Sequence, residues 1–218
     1  TTGMAKGPGA GPLCQGSSTR LGPLPTPLLL SPPQPVHDEA IDRMTLTPGD
    51  ARRLLEQLGA PPHLIQHAAL VLEAAEGLIA RIEAEGVSLD ADLVRSGAIL
   101  HDAGKILHPG ELHGPGNAHE PAGVRLLLAN GVDPALARCC LSHARWAAME
   151  CSLEELVIAL SDNLWKGKRN EALEKRVIAA VAAATGRDVW DHFVTLDTVF
   201  ENIAAVGPER LARSTPGG

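Results

Sequence analysis

The sequence predicts an all-α fold, a bundle of packed helices over residues 44–218. Three observations predict the helical class. Apolar residues recur at three- and four-residue steps, the period of an amphipathic helix. Capping and stop residues cut the chain into helix-length pieces. No stretch alternates apolar and polar residues as a half-buried strand does. Of the 218 residues, 44% are hydrophobic but only 2% are aromatic and none is Tyr, so Ala and aliphatic side chains must fill the core.

Residues 1–43 stand apart. They carry Gly-Pro repeats and the prolines Pro23, Pro25, Pro27, Pro32, Pro33 and Pro35, without helical periodicity. Such a composition buries too little apolar surface to offset its ordering entropy. A disordered tail is expected there, with Met44 a candidate natural start. Thr47-Pro48 and Asp50 then open a short helix at 51–58, stopped by Gly59. Pro61-Pro62 opens a long one at 63–85, ending at Gly86, with Leu64, Ala68, Val71, Leu72, Ala75, Leu78, Ile79 and Ile82 on its apolar face. Asp90 caps a third helix, which ends in Ile99-Leu100-His101-Asp102. Residues 104–118 read as a Gly/Pro/His loop. A helix follows at 119–130, stopped by Gly131. Asp133-Pro134 starts the next, which carries His143. Ser152-Leu153-Glu154-Glu155 is a capping box opening the helix that carries Asp162. Helices at 171–185 and 188–205 complete the set, the last exposing or burying Trp190, Phe193, Leu196, Val199, Phe200 and Ile203 as core or as a homo-oligomer face.

The net charge of −7 argues against broad electrostatic binding to nucleic acid or to an anionic membrane. No apolar run reaches the ~18 residues a membrane span needs. Leu28-Leu29-Leu30 is too short, and too closely flanked by prolines, for a signal-peptide core. The four cysteines, Cys14, Cys139, Cys140 and Cys151, contain no CxxC and are expected as reduced thiols in a cytoplasmic protein.

Chemistry enters with polar residues set into apolar helices. His67 lies among Leu64, Ala68 and Val71. His101-Asp102 follows Gly97-Ala98-Ile99-Leu100, and Asp162 follows Val157-Ile158-Ala159-Leu160-Ser161. Burying such groups is costly unless something satisfies them, and a shared metal ion would. His119 and His143 fall between the pair and Asp162, giving the order H…HD…H…H…D. Imidazole and carboxylate without thiolate suit first-row divalent ions. Six such groups are too many for one open catalytic ion and about right for two. His37, His63, His108, His113 and His192 keep the ordinary expectation of hydrogen-bonded core or surface residues.

The order of ligands and the segment Ile99-Leu100-His101-Asp102-Ala103-Gly104-Lys105 resemble the HD-domain superfamily of metal-dependent phosphohydrolases, whose core reads LLHDIGK. The resemblance covers about residues 50–170. It implies that His67, His101, Asp102 and Asp162 bind one divalent ion. It further implies that His119 and His143 hold a second, with Asp102 bridging. Iron or manganese is favoured by the resemblance, and Zn, Co, Ni and Mg remain open. The relatives with paired histidines at the later position are not matched, because Ala144 follows His143, and the GYP motif of the cyclic-dinucleotide branch is absent.

A small phosphorylated substrate, cleaved by metal-activated water, is the implied partner. Lys105 matches the lysine of HDxGK and is the expected catalytic cation beside Asp102. Arg145, Lys166 and Lys168 are further expected substrate contacts, with Arg169 in the same cluster. Cations at a helix end also simply complement the helix dipole. Trp146 and Trp165 are expected mainly as core. Two rival readings share the ligand order: a di-iron HD oxygenase cleaving a carbon bond with O2, and a non-catalytic HD ligand sensor.

Overall fold

The computed structural model describes residues Leu46–Ser214. The expected tail at 1–43, Met44, Cys14 and His37 lie outside the described residues.

Ten α-helices and three 3-10 turns make up the described chain, and no β-strand occurs among these residues. The helices are α1 (Pro48–Gln57), α2 (Pro62–Ala84), α3 (Ala91–Leu100), α4 (His119–Ala129), α5 (Pro134–Ala137), α6 (Cys139–Arg145), α7 (Leu153–Leu164), α8 (Glu171–Thr185), α9 (Val189–Ala205) and α10 (Gly207–Ser214). The caps expected at Thr47, Asp90, Asp133 and Ser152 are in place, and Asn170 and Asp188 add two more. Thr47, Asp90, Asp133, Asn170 and Asp188 each accept a backbone N–H of the first turn. Ser152 and Glu155 complete the reciprocal capping box of α7.

α2 is the central strut. It packs on α3, α7 and α9, while α1 covers α3 and α8 covers α7 and α9. The core is aliphatic as the composition requires: Leu55, Leu70, Leu78, Ile79, Ile82, Leu100, Ile158, Leu160 and Leu164 are buried, with Phe200 the large aromatic among them. Ala68, Ala74, Ala75, Ala98 and Ala159 are also buried, and small side chains bring helix axes close.

Three local readings differ from the sequence expectation. The segment expected as a plain loop holds two 3-10 turns, Ala103–Ile106 and Pro109–Leu112. The helix expected to run from Pro134 through His143 is two pieces, α5 and α6, divided at Arg138. A terminal helix, α10, follows the last helix that the sequence predicts; its amphipathic pattern is short. Arg210 is buried, bonded to Glu73 at 3.0 Å and to the Ile203 carbonyl at 2.7 Å.

One contact sets where the site forms. A Cβ on Gly104 would sit inside the backbone carbonyl of His119 and against the Gly123 nitrogen, and one on Gly123 would meet Cys140. Only hydrogen at both positions lets the first 3-10 turn, α4 and α6 close on one another.

Candidate metal centre

The site lies where α3 ends and the chain turns into the first 3-10 segment. His101 is the C-cap of α3 and Asp102 follows it; both are buried. α2 brings His67, α4 brings His119 at its first residue, α6 brings His143, and α7 brings Asp162. All six residues expected as ligands converge.

The two oxygens of Asp102 face different partners. Oδ2 lies 3.2 Å from His67 Nε2 and 3.5 Å from His101 Nε2. Oδ1 lies 3.3 Å from His119 Nε2 and 3.7 Å from His143 Nε2. Asp162 Oδ1 closes the first group, 3.5 Å from His67 Nε2 and 3.7 Å from His101 Nε2. Two sets of three donors, His67–His101–Asp102 and Asp102–His119–His143, each fall within 4.8 Å of one another. Atoms sharing an ion at about 2.0–2.2 Å stand roughly 3.0–3.5 Å apart at coordination angles, close to these separations.

Three of the four imidazoles point a bare nitrogen inward. His101 Nδ1 donates to the Ala98 carbonyl at 2.9 Å, and His143 Nδ1 to the Cys139 carbonyl at 3.0 Å. His119 Nδ1 donates to Glu111 Oε2 at 2.5 Å. Fixing the proton on Nδ1 leaves Nε2 as the ligand atom. Asp102 Oδ1 and His119 Nε2 are buried and have no hydrogen-bond partner. Two lone pairs facing each other in a buried place call for a shared cation. The residues therefore fit a divalent metal.

Electrostatics agree. Burial alone would raise the Asp102 carboxyl, but His101, His119 and His67 draw it well below the ordinary carboxylate range. Asp162 behaves likewise: burial raises it, and His101, Lys166 and His67 overcome that and hold it low. Burial pushes the His143 imidazole down to about 4, helped by neighbouring His101. Burial would lower His101 also, but Asp102 and Asp162 outweigh it and raise it.

Above these residues opens a cleft of about 410 Å³, lined by His67, Asp102, His119, His143 and Asp162 and by Lys105, Lys166, Trp165, Leu64, Leu112, His63, His113 and Ser214. Lys105 Nζ is 2.6 Å from Asp102 Oδ2, and Lys166 Nζ is 3.5 Å from Asp162 Oδ2. Arg145 and Lys168 do not line the cleft. The Arg145 guanidinium pairs with buried Glu120 on α4, so it braces α6 against α4, and Lys168 is exposed just past α7.

Four residues in or beside the cleft were not foreseen in the sequence or were assigned elsewhere. Trp165 is buried as expected, yet it also walls the cleft: its Nε1 donates to Asp162 Oδ1 at 3.2 Å and its ring stands edge-on to His67 at 5.0 Å. Its position three residues after Asp162 on a helix was the available signal. His63, one turn before His67, and His113 line the cleft with ring centroids 5.1 Å apart. Glu111 is the fourth, and nothing in its spacing marked it. His192 keeps the ordinary expectation, bonded to Glu85 at 2.7 Å and Thr185 at 2.8 Å in the core. Cys139, Cys140 and Cys151 are free thiols. No helix among the described residues is long and apolar enough to cross a membrane.

Comparison with known proteins gives one result. Neither curated proteins nor solved structures provide a match. The family model of the HD domain matches residues 51–167, from the first helix through the last ligand. That span contains every residue of the His/Asp cluster built above, and the chain accordingly belongs to the HD-domain superfamily, whose members bind divalent metals and are mostly hydrolases.

Proposed function

We propose that this protein is a metal-dependent phosphohydrolase with a dinuclear centre, acting on a phosphate ester or anhydride of a small metabolite such as a nucleotide. The observation that carries the reading is Asp102, whose two oxygens serve two separate histidine groups at the floor of a cleft flanked by Lys105 and Lys166. His67, His101, Asp102 and Asp162, with His119 and His143, would hold divalent ions that would supply water activation and charge neutralisation at the phosphoryl oxygens. The chain's own residues do the rest. Lys105 and Lys166 offer point charges to the non-bridging oxygens of the substrate. His101, His119 and His143 hold their protons on Nδ1, so none competes at the inward nitrogen. Trp165, Leu64 and Leu112 form apolar walls that exclude water from the reacting group.

The test is metal content of protein purified without chelator, with phosphatase assays run in air and under argon on the same sample. Two ions per chain and oxygen-independent phosphate release support the reading and direct work to a panel of phosphorylated metabolites. Two irons, no phosphate release and oxygen consumption would replace it with the oxygenase. Bound metal without turnover on either class would leave a sensor.

A further inference from the structure

The three inward histidines with a fixed proton are not held alike. His101 and His143 bond to carbonyls of their own helices, three and four residues back. His119 bonds to Glu111, a side chain from the 3-10 turn Pro109–Leu112. The same carboxylate accepts the backbone N–H of His119 and of Ala118, each at 3.1 Å. It therefore fixes both the ring and the start of the helix that carries it.

Gly116 completes the arrangement. A Cβ there would overlap the Glu111 carboxylate itself, so the loop can fold over that group only with hydrogen at this position. The residues that follow Glu111, Leu112 and His113, line the cleft. One short segment thus contacts the substrate space with two residues and a metal ligand with a third.

We propose that Glu111 is a positioning residue for the His119–His143 ion, setting that ion's affinity separately from that of the His67–His101–Asp162 ion. The inference rests on the two-ion reading. A carboxylate on the far nitrogen of a ligating imidazole fixes its tautomer and raises its basicity, and loss of such a partner costs 10- to 100-fold in affinity. Substrate that touches Leu112 and His113 steadies the turn that holds Glu111, so occupancy of the second ion follows occupancy of the cleft.

The experiment is titration of the metal-free full chain with Mn2+ alone, followed by calorimetry and elemental analysis, for wild type, Glu111→Gln and Gly116→Ala. The glutamine offers one acceptor where the carboxylate offered two, and it carries no charge. Gly116→Ala displaces the carboxylate without altering it, which keeps a readout should the first variant fold poorly. Wild type is expected to take up two ions. Both variants are expected to weaken one site 10- to 100-fold and leave the other in place, while the metal-free protein keeps a cooperative unfolding transition. Equal weakening of both sites, or no weakening in either variant, overturns the proposal while the two-ion reading stands. Wild type saturating at one ion overturns that reading, and the proposal with it.

Discussion

The two halves of the proposed metal centre draw on the same kinds of side chain in different settings. In the half made by His67, His101 and Asp162, every candidate ligand projects from the body or the end of a helix packed into the core. In the half made by His119 and His143, one ligand sits at the very first residue of its helix, tied down by a turn from elsewhere. The first half is as rigid as the bundle. The second is as rigid as the segment 103–118 that closes over it, including the Gly104 contact with the His119 carbonyl. Preorganisation in this molecule is inherited from packing on one side and assembled by hydrogen bonds on the other.

The largest effect should come from the residue the halves share. Asp102→Ala is expected to lose both ions and all measurable turnover. Elemental analysis and a phosphatase assay check this, and wild-type-like turnover by the metal-loaded variant would break the comparison at its root. Next, the halves should separate when cut individually. His101→Ala and His119→Ala are each expected to retain one ion and lose turnover, with the retained ion the less exchangeable in His119→Ala. Equal ion counts in wild type and either variant would show that the halves are not distinct.

A smaller split concerns the cations. Lys105→Ala is expected to raise KM for a phosphate monoester roughly ten- to hundredfold, the range for losing a hydrogen bond to a charged group. Arg145→Ala should leave KM alone and act instead through the brace to Glu120, as a weaker His119–His143 ion. The reverse pattern would return Arg145 to the substrate.

The smallest effect lies outside both halves. Burial pushes the Glu85 carboxyl up, but Arg81 and His192 pull it below its ordinary value of 4.5. A depressed carboxyl adds stability above its unfolded value and loses it as pH falls through the folded one. The melting midpoint of the wild type should therefore fall faster below about pH 4.5 than that of Glu85→Gln, measured on metal-free protein. Parallel acid limbs would remove Glu85 from the account.

The same contrast governs what the sequence disclosed. Helices α1 to α4 and α7 to α9 are legible because period and caps are local properties of consecutive residues. Four of the six candidate ligands, His67, His101, Asp102 and Asp162, are legible because a histidine or aspartate within an apolar helix is a conflict visible in one dimension; His119 and His143 are legible only through the order of the family resemblance. Glu111 is not, since it sits among exposed loop residues and its meaning comes from where the chain returns. Arg145 misleads for a related reason: two residues from His143 in sequence, it faces Glu120 rather than the cleft. The division of α5 from α6 falls at Arg138, whose guanidinium reaches across to Glu155 at 2.7 Å, and no local pattern announces it.

Trp165 gives the centre an optical consequence. The chain has three tryptophans and no tyrosine, so its near-ultraviolet emission comes from indole alone. Trp190 is 75% exposed on α9 and should emit to the red. Trp146 lies partly buried beside Arg176. Trp165 stands edge-on to the His67 ring and bonds the Asp162 carboxylate, so a paramagnetic ion held by those residues would lie within quenching range. The blue component of the spectrum is thus expected to be a label-free gauge of filling of the proposed centre, native to the protein and most direct on the His67 side.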